Sequence, residues 1–423
     1  MSSPAPYARA CGIDFGTSNS TAGWLRPRQS TLLSLEDGKP TLPSVVFFNA
    51  EEDSISYGRA GLSDYLEGYE GRLMRSLKSL LGSSLIDGQT EVLGRALPFR
   101  ELLAHFIGEL KQRAERSAGR AFDTAVFGRP VHFVDDNLAA DQQAQRTLEE
   151  TARAVGFKEI SFQFEPIAAA FHYEQDIRAE ELVLIVDIGG GTSDFSLVRL
   201  SPERAGLVER RDDLLANGGI HIGGTDFDKY LSLGNILPLL GYKTRLRNNS
   251  EVPSSYYFNL ATWHTINFNY TRKIWMELQE VYRDAREQDK LDRLLRLIEH
   301  REGHWLALRA EEAKIGLSSS EKVTLQLDRI HAGLSHDILR SDFDAAVSHL
   351  VDGVAGTVSQ LLQDANLGAH QIDTVFFTGG SSGVPLLRQR IAALLPNARA
   401  VEGDLFGSIG AGLAVEALRR YGH

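Results

Sequence analysis

The chain has 423 residues, 43% of them hydrophobic, and a formal net charge of −11, so it can bury the cores of two or three domain-sized units. Its one cysteine, Cys11, excludes an intramolecular disulfide and predicts a reducing, cytoplasmic compartment. The acidic charge argues against nucleic acid as a partner, and the absence of a secretory-signal pattern and of an apolar run near 18 residues predicts no membrane association.

Strand-like runs alternate with helical patterns along the whole chain. CGIDFG, SVVFF, TAVFG, ELVLIVDIG, FSLVRL and TVFFTGG predict strands, whereas LLAHFIGELKQRAERSAG and PLLRQRIAALL predict helices. This alternation favours an α/β architecture over a sandwich or a helix bundle. No low-complexity segment or long Pro/Ser linker divides the chain.

One strand–turn–strand pattern occurs twice, first in CGIDFGTSNSTAGWL and again, 173 residues later, in LIVDIGGGTSDFSLVRL. In each copy an apolar run ends in an aspartate, Asp14 or Asp187, and a glycine-containing turn with a threonine follows. The repeat predicts two lobes of related plan that meet at about residue 183. Chance is the alternative, because D-x-G-T is a short pattern.

Both turns suit an anion, because glycine lets consecutive backbone N–H groups approach one phosphate. Neither turn matches the GxxxxGK[ST] or GxGxxG patterns, and DFSLVRL after GGGT predicts a strand where those patterns need a helix. A carboxylate repels triphosphate unless a divalent cation bridges the two. Asp14 and Asp187 are therefore candidate outer ligands of a magnesium–nucleotide complex; ordinary hairpin corners are the alternative.

Three more glycine turns adjoin predicted elements. GGIHIGGTDFDKYL precedes a helix that Asp226 or Asp228 can cap, and FFTGGSSGVPLLRQRI is a strand, a turn and a helix whose N-terminus suits a sugar or α-phosphate. EGDLFGSIGAGLAVEAL places glycines where a helix packs closely against another backbone. Independent hairpin corners do not explain so many such turns in one chain.

Taken in order, GIDFGTSNS, VDIGGGTSDFS, GGTDFDKYL, EEAKIGLSS, FFTGGSSGVPLL and GDLFGSIGAGLA resemble the nucleotide-binding domain of the DnaK heat-shock chaperones, of the actin-like ATPase superfamily. VFGRP and FEPIAAA are most similar to the short DnaK relatives of the YegD type. The resemblance implies an α/β actin-like ATPase fold. Lobe I would span residues 8–182 with an insertion at about 45–105, and lobe II residues 183–420 with a divergent insertion at about 234–308.

The resemblance also implies site residues in a central cleft that holds ATP or ADP with Mg²⁺. Lys78 would contact the γ-phosphate or the attacking water, and Glu165 and Thr192 would orient that water. The implied catalytic set is Lys78, Glu165, Asp187 and Thr192, and the implied metal set is Asp14, Asp187 and Asp194. The implied nucleotide-binding set is Gly16, Thr17, Ser18, Gly189, Gly190, Gly191, Thr192, Gly223, Gly224, Glu311, Lys314, Ser318, Gly379, Gly380, Ser381 and Asp404.

Without the resemblance these side chains have ordinary interpretations. Lys78 would be a solvated helix lysine, and Glu165 before Pro166 would place charge at a helix N-terminus. Glu311 and Lys314 would form a surface pair three residues apart.

The sequence departs from the family pattern around the base. Ile315 and Gly383 stand where chaperones commonly have arginines that flank adenine, so we expect weaker or differently achieved adenine affinity. Thr225 replaces the glutamate of the usual GGEDFD run. The chain given also lacks the linker and peptide-binding sandwich of full-length chaperones, so clamp-and-release chaperoning within it is not expected.

The segment between Ile236 and Trp305 matches the family poorly. Its aromatic-rich part, residues 256–275, is interpreted as subdomain core, with a partner surface as the alternative. KLDRLLRLIEHREGHWLALRAEEAK predicts one amphipathic helix. His300 and His304 lie four residues apart there, and a solvated helix face is favoured over a metal pair because HREGH is not HExxH.

The function predicted from these residues is that of a DnaK-like ATPase with slow, Mg²⁺-dependent hydrolysis. We expect a monomer with an unidentified protein client or co-chaperone. A small-molecule kinase of the same superfamily, a filament-forming relative and a nucleotide-gated adaptor without hydrolysis remain alternatives.

Overall fold

A computed structural model of the chain describes residues 9–26, 29–134, 137–207, 209–404 and 407–422. Residue 8, the predicted start of lobe I, and residues 405–406 of the GDLFGSIGAGLA motif lie outside the described residues. No helix among the described residues is long and apolar enough to cross a membrane.

The described strands are β1 (Cys11–Asp14), β2 (Asn19–Gly23), β3 (Thr41–Pro43), β4 (Val45–Asn49), β5 (Ser54–Tyr57), β6 (Gly71–Arg75), β7 (Gln89–Val92), β8 (Arg95–Pro98), β9 (Thr124–Arg129), β10 (Glu159–Phe164), β11 (Glu181–Ile188), β12 (Ser193–Leu200), β13 (Leu214–Ile220), β14 (Lys322–Gln326), β15 (Ser335–Leu339), β16 (Thr374–Thr378) and β17 (Arg399–Glu402). The described α-helices are α1 (Gly58–Glu67), α2 (Phe99–Ala118), α3 (Leu138–Ala154), α4 (Glu165–Asp176), α5 (Gly224–Leu231), α6 (Ser255–Leu260), α7 (Arg272–Asp284), α8 (Gln288–Glu299), α9 (Gly303–Ser319), α10 (Arg340–Asp364), α11 (Pro385–Leu394) and α12 (Ser408–Tyr421).

Two five-stranded sheets share one plan. The strand order is β10-β9-β1-β2-β3 in the first sheet and β17-β16-β11-β12-β13 in the second. In each sheet the central strand is antiparallel to its hairpin partner and parallel to the strand on its other side. This duplication confirms the α/β fold with two lobes of related plan, whereas the boundary between residues 182 and 183 stays a prediction.

The central strands are apolar on both faces because both faces are covered. All of β1 is buried, and residues 183–186 of β11 are buried without alternation, as in sheets that have helices packed on both sides. Each central strand ends at an aspartate or one residue beyond it, Asp14 in β1 and Asp187 in β11. The fold therefore brings a carboxylate to the same end of both sheets.

Two helices, α4 and α12, pack together between the sheets. Both contribute to an apolar core shared with strands of each sheet, including Val126 of β9 and Val183 of β11. Their backbones approach very closely: an ideal Cβ on Gly412 would lie 1.8 Å from the carbonyl oxygen of Ala168. Glycine at 412 is therefore what permits this helix crossing.

The two predicted insertions carry separate small elements. After β3 come a three-stranded sheet, β5-β4-β6, and the hairpin β7-β8, while α6, α7 and α8 follow α5. The prediction of one long helix before Glu311 is wrong, because α8 ends at Glu299 and α9 starts at Gly303. Arg301 between them has φ 55°, a left-handed conformation that ends a helix.

Candidate functional site

The turns after β1 and β11 meet at one place. An ideal Cβ on Gly190 would lie 1.8 Å from Oγ of Ser18, so the first turn packs directly on the second. The start of α5 also lies against the second turn, since the N–H of Gly224 donates to the Gly189 carbonyl at 2.9 Å. An ideal Cβ on Gly223 would lie 2.5 Å from the backbone of Gly191. The structure thus joins three segments that were predicted to bind the nucleotide.

A lysine–carboxylate pair lies beside these turns. Nζ of Lys78 is 2.5 Å from Oε1 of Glu165, and both side chains are mostly buried. Lys78 lies in the short 3₁₀ turn Leu77–Leu80, and Glu165 begins α4. Burial alone would lower the pKa of Lys78, but Glu165 and Asp14 outweigh it and raise that pKa. The interpretation of Lys78 as a solvated helix residue is therefore wrong.

The two repeated aspartates carry more negative charge than Lys78 offsets. Loss of water, and then Glu165, raises the pKa of Asp14 to about 7. Loss of water, followed by Asp194, Glu165 and Asp14, raises the pKa of Asp187 to about 8. Burial is the first cause of both shifts and the neighbouring carboxylates add to it, so a nearby cation would stabilise the charged forms.

A hydrated divalent cation would supply the positive charge that these buried carboxylates need. The described part of the chain contains no group of three or more His, Cys, Asp or Glu side chains that could ligate one ion directly. Mg²⁺ commonly keeps several waters and takes one or two carboxylates together with phosphate oxygens. Asp14 and Asp187 therefore suit Mg²⁺ held through water beside a polyphosphate.

Thr192 and Asp194 continue the second turn into β12. Oγ1 of Thr192 donates to Oδ2 of Asp194 at 3.1 Å, and Asp194 pairs across the hairpin with Asp187. Asp194 is exposed. A hydroxyl and a carboxylate therefore stand at the exposed edge of the carboxylate cluster, which is formed by Asp14, Asp187 and Glu165.

Helix α9 forms a further wall of the site. Nζ of Lys314 is buried and contacts the Gly224 carbonyl at 3.2 Å and Oδ2 of Asp228 at 3.0 Å. The alternative interpretation of Glu311 and Lys314 as a surface pair is therefore wrong, and their contact with a nucleotide stays a prediction. Ser318 donates to the Lys314 carbonyl within the helix. The cap of α5 is Asp226, whose Oδ2 accepts from the N–H of Gly223 at 3.0 Å, so Asp228 is free to hold Lys314.

The turn after β16 packs against the other side of β11. Gly379 has φ 80°, and an ideal Cβ there would lie 2.3 Å from Oδ1 of Asp187. The N–H of Ser381 donates to the Ile188 carbonyl at 3.1 Å. Gly380 is exposed between them. The backbone of this turn thus borders the carboxylate cluster.

For two of the predicted nucleotide-binding residues, Thr17 and Asp404, the structure gives a position without assigning a role. Thr17 lies half-buried in the first turn. Oδ2 of Asp404 lies where a Cβ on Gly407 would approach it to 2.5 Å, at the start of α12. Closure of the pocket by Asp404 stays a prediction.

We compared the chain with models of known protein families and with curated proteins, and the family model identifies its family. The model of the Hsp70 protein family matches residues 84–234 and 285–419, which together make up more than half of the chain. The chain belongs to the Hsp70 family.

Curated relatives of this Hsp70-family chain are chaperones by name. It is 28% identical over 439 residues to "Chaperone protein HscA" of Pectobacterium carotovorum and 28% identical over 441 residues to that of Citrobacter koseri. A "Chaperone protein HscA homolog" of Shewanella denitrificans is 26% identical over 437 residues. Each alignment covers 98% of this chain but 59% of the relative. The finer likeness to the YegD type is not confirmed by these relatives.

The Hsp70-family chain also has a lobe-to-lobe cluster that sequence reasoning missed. The guanidinium of Arg75, on β6, lies 4.1 Å from the ring centroid of Trp263. The Trp263 and His304 rings are 4.6 Å apart, and Tyr65 of α1 lies against His304 with ring centroids 5.0 Å apart. These four side chains join the insertion of lobe I to that of lobe II. No local periodicity marks such a cluster.

His304 is buried and neutral, so its assignment to a solvated face is wrong. Its Nε2 lies 3.2 Å from the Trp263 carbonyl, which can only accept, so Nε2 carries the proton and Nδ1 accepts from the Tyr65 hydroxyl at 3.2 Å. Burial lowers the pKa of His304 to about 4, with a further lowering from Arg75. Elsewhere in the aromatic segment Tyr256 and Tyr257 are core, whereas Phe258 and Phe268 are exposed.

We expect His304 to make the stability of the chain depend on pH. The unfolded state binds more protons than the folded state between the ordinary histidine pKa of 6.5 and the folded value of about 4. The contribution is therefore complete above pH 6.5 and is lost as the pH falls toward 4, by on the order of 3 kcal/mol. Urea unfolding of wild type and His304→Gln between pH 7 and 4 measures it.

The difference between the two proteins should shrink as the pH falls. His300→Gln, at the exposed end of α8, is the control for loss of a histidine outside the cluster. A wild-type-to-His304→Gln difference that stays constant over this range would contradict the assignment.

Proposed function

We propose that this chain binds ATP and ADP with Mg²⁺ between its two lobes, hydrolyses ATP slowly, and acts as a chaperone-like nucleotide switch. The observation that carries the proposal is the Lys78–Glu165 pair beside two touching glycine turns, next to Asp14 and Asp187. Membership of the Hsp70 family supports it. The roles of individual residues are part of the proposal.

The turns would bind the phosphates through their backbones. Gly16, Thr17 and Ser18 on one side and residues 190–192 on the other offer N–H groups where the two sheets end, while the N–H of Gly189 closes the second turn on the Thr192 carbonyl. Because Gly190 has no Cβ, the two turns approach closely enough to hold one polyphosphate between them. Lys78 would place its ammonium group beside the γ-phosphate. Nζ would then donate hydrogen bonds to phosphate oxygens as well as to Glu165.

Hydrolysis would be a water attack on the γ-phosphorus. The new P–O bond forms to the water oxygen, the bond between the γ-phosphorus and the bridging oxygen breaks, and ADP leaves with that electron pair. Glu165 and Thr192 would orient the water, and Glu165 would accept its proton and return it to solvent. Such a reaction depends on positioning and charge neutralisation more than on covalent help.

Asp14 and Asp187, with Asp194 nearby, would hold Mg²⁺ through water. The ion supplies charge neutralisation of the phosphates when it is bound. The raised pKa values of Asp14 and Asp187 come first from burial and then from neighbouring carboxylates. They support this assignment, because a bound cation would offset both effects on the charged forms.

The switch role is proposed from family membership and from the placement of the site. Ligand between the turns contacts both lobes, so gain or loss of the γ-phosphate can bias how the lobes close. Slow turnover suits such timing. The relatives are named as chaperones, and we propose that this chain, as a monomer in the cytoplasm, likewise serves a protein client or co-chaperone of unidentified type.

Magnesium-dependent binding is the first test. We expect isothermal titration to show ATP and ADP binding that weakens about 10- to 100-fold without Mg²⁺, and Asp187→Asn to show the weak affinity even with Mg²⁺. The control is Asp212→Asn, which removes an equal charge from an exposed position at the far end of the same sheet. Wild type that binds no nucleotide would overturn the proposal.

The same preparations separate the alternatives. Phosphate release stimulated by a sugar or an acid acceptor would indicate a small-molecule kinase. Nucleotide binding without phosphate release would indicate an adaptor, and ATP-dependent pelleting would indicate a filament.

A further inference from the structure

The nucleoside end of the proposed ligand can be located from the walls of the site. The second turn touches α5 through Gly224, and Lys314 of α9 holds the Gly224 carbonyl. On the opposite side the Gly379 turn borders Asp187. A nucleotide with its phosphates at the two glycine turns therefore leads its base and ribose toward the space between α9 and the Gly379 turn.

At the two wall positions where the family commonly has arginines, the described residues carry no cation. Lys314 is buried and held by Asp228. Ile315, the next residue along α9, is apolar and 58% exposed, and Gly383 has no side chain. A stacked cation on the nucleoside must therefore come from another element.

Arg75 reaches this region from the opposite lobe. It ends β6, and its half-buried guanidinium packs on Trp263 at 4.1 Å. Burial lowers the pKa of Arg75, while Glu311 and Asp228 act to raise it, which places the guanidinium near the carboxylates that line α5 and α9. Within the described ranges no side chain or carbonyl forms a hydrogen bond or ion pair with that guanidinium.

A half-buried guanidinium without a protein hydrogen bond has donors that a ligand can take. Trp263 covers one of its faces, and Arg75 is half-buried, so part of the residue remains open to solvent. Guanidinium planes stack on aromatic rings, purine bases included, and gain energy in a desolvated site. Trp263 is itself held by His304, so the pair is positioned before a ligand arrives.

We propose that Arg75, backed by Trp263, stacks on the purine base of the bound nucleotide and is the main nucleoside-contacting cation of this chain. The inference rests on the proposed nucleotide-binding function. Stacking on the face of the ring serves adenine and guanine alike, so Arg75 distinguishes a nucleotide from a bare polyphosphate more than one purine from another. The contact would also make the affinity for the base depend on lobe closure. Arg75 belongs to lobe I and Glu311 to lobe II, so the two lobes must come together for both residues to line the site.

The test compares Mg²⁺-ATP with Mg²⁺-tripolyphosphate, which has the phosphates but no nucleoside. By isothermal titration we expect Arg75→Ala to weaken ATP binding about 5- to 10-fold and GTP binding by a similar factor, with tripolyphosphate binding unchanged. Arg75→Lys keeps the charge but not the planar fork, so about a 3-fold loss for ATP is expected. Arg72→Ala, on the exposed start of the same strand, is the matched control and should bind all ligands like wild type.

Each alternative result is decisive. Equal losses for ATP and tripolyphosphate would show that Arg75 only clamps the lobes, and unchanged ATP binding would remove the contact altogether; both overturn the inference and leave the proposed function standing. Wild type that binds neither ligand overturns the proposed function as well. If Arg75→Ala does not fold, the Arg75→Lys pattern decides by itself.

Discussion

Replacing Lys78 by alanine should lower ATP turnover by about 100-fold or more, since one positioned charge-stabilising group is worth about this much in comparable sites. Lys78 lies 2.5 Å from Glu165 and beside Asp14, so its removal leaves the γ-phosphate facing carboxylates without a protein cation. ADP lacks the γ-phosphate, and its affinity should change far less. Single-turnover phosphate release and ADP titration measure the two effects.

Two further variants make the Lys78 prediction specific. Lys158→Ala removes an exposed lysine of the same lobe and should keep wild-type turnover. Glu165→Gln keeps the shape of its partner and should lower turnover while retaining ATP binding, because it removes the proton acceptor. If Lys78→Ala and Glu165→Gln both hydrolyse ATP like wild type, the catalytic assignment fails.

Gly412→Ala should destabilise the chain by about 3 kcal/mol, the upper range for overpacking a core. The added Cβ would lie 1.8 Å from the Ala168 carbonyl oxygen and 2.6 Å from its carbonyl carbon. Both are backbone atoms, so no side-chain rotation relieves the clash, and α4 and α12 must move apart. Equilibrium urea unfolding measures the loss.

The matched control for Gly412 is Gly356→Ala, in the exposed part of α10. A Cβ there meets nothing within 4 Å, so alanine should stabilise the helix by about 0.5–1 kcal/mol. Equal stability changes at the two positions would mean that the α4–α12 crossing is not closely packed. Because this crossing lies between the lobes, the Gly412 variant should also lose nucleotide-linked stabilisation.

Much of the fold follows from local sequence patterns. The unalternated apolar runs of β1 and β11 predict covered strands, and the glycine turns after Asp14 and Asp187 predict backbone that approaches an anion. These signals are local because strand burial depends on consecutive residues and a tight turn depends on a missing Cβ. Duplication of the pattern was enough to predict two related lobes.

Local sequence patterns did not predict where one helix ends or which partner a buried lysine takes. The helix before Glu311 breaks at Arg301, although the apolar spacing continues on both sides of the break. Lys314 forms its ion pair with Asp228 on helix α5, not with Glu311 on the same helix, α9. For Lys314 a tertiary contact outweighs a local pair that contributes only a few tenths of a kcal/mol.

By itself the sequence determined that the apolar runs of β1 and β11 are strands and that an aspartate followed by a glycine turn stands at the end of each. Only the tertiary structure decided that Lys78 meets Glu165, 87 residues away, and that Arg75 packs on Trp263 from the other lobe. Side chains distant in sequence leave no periodic pattern when they meet. Their pairing depends on how two lobes close, and that closure is a property of the whole packed chain.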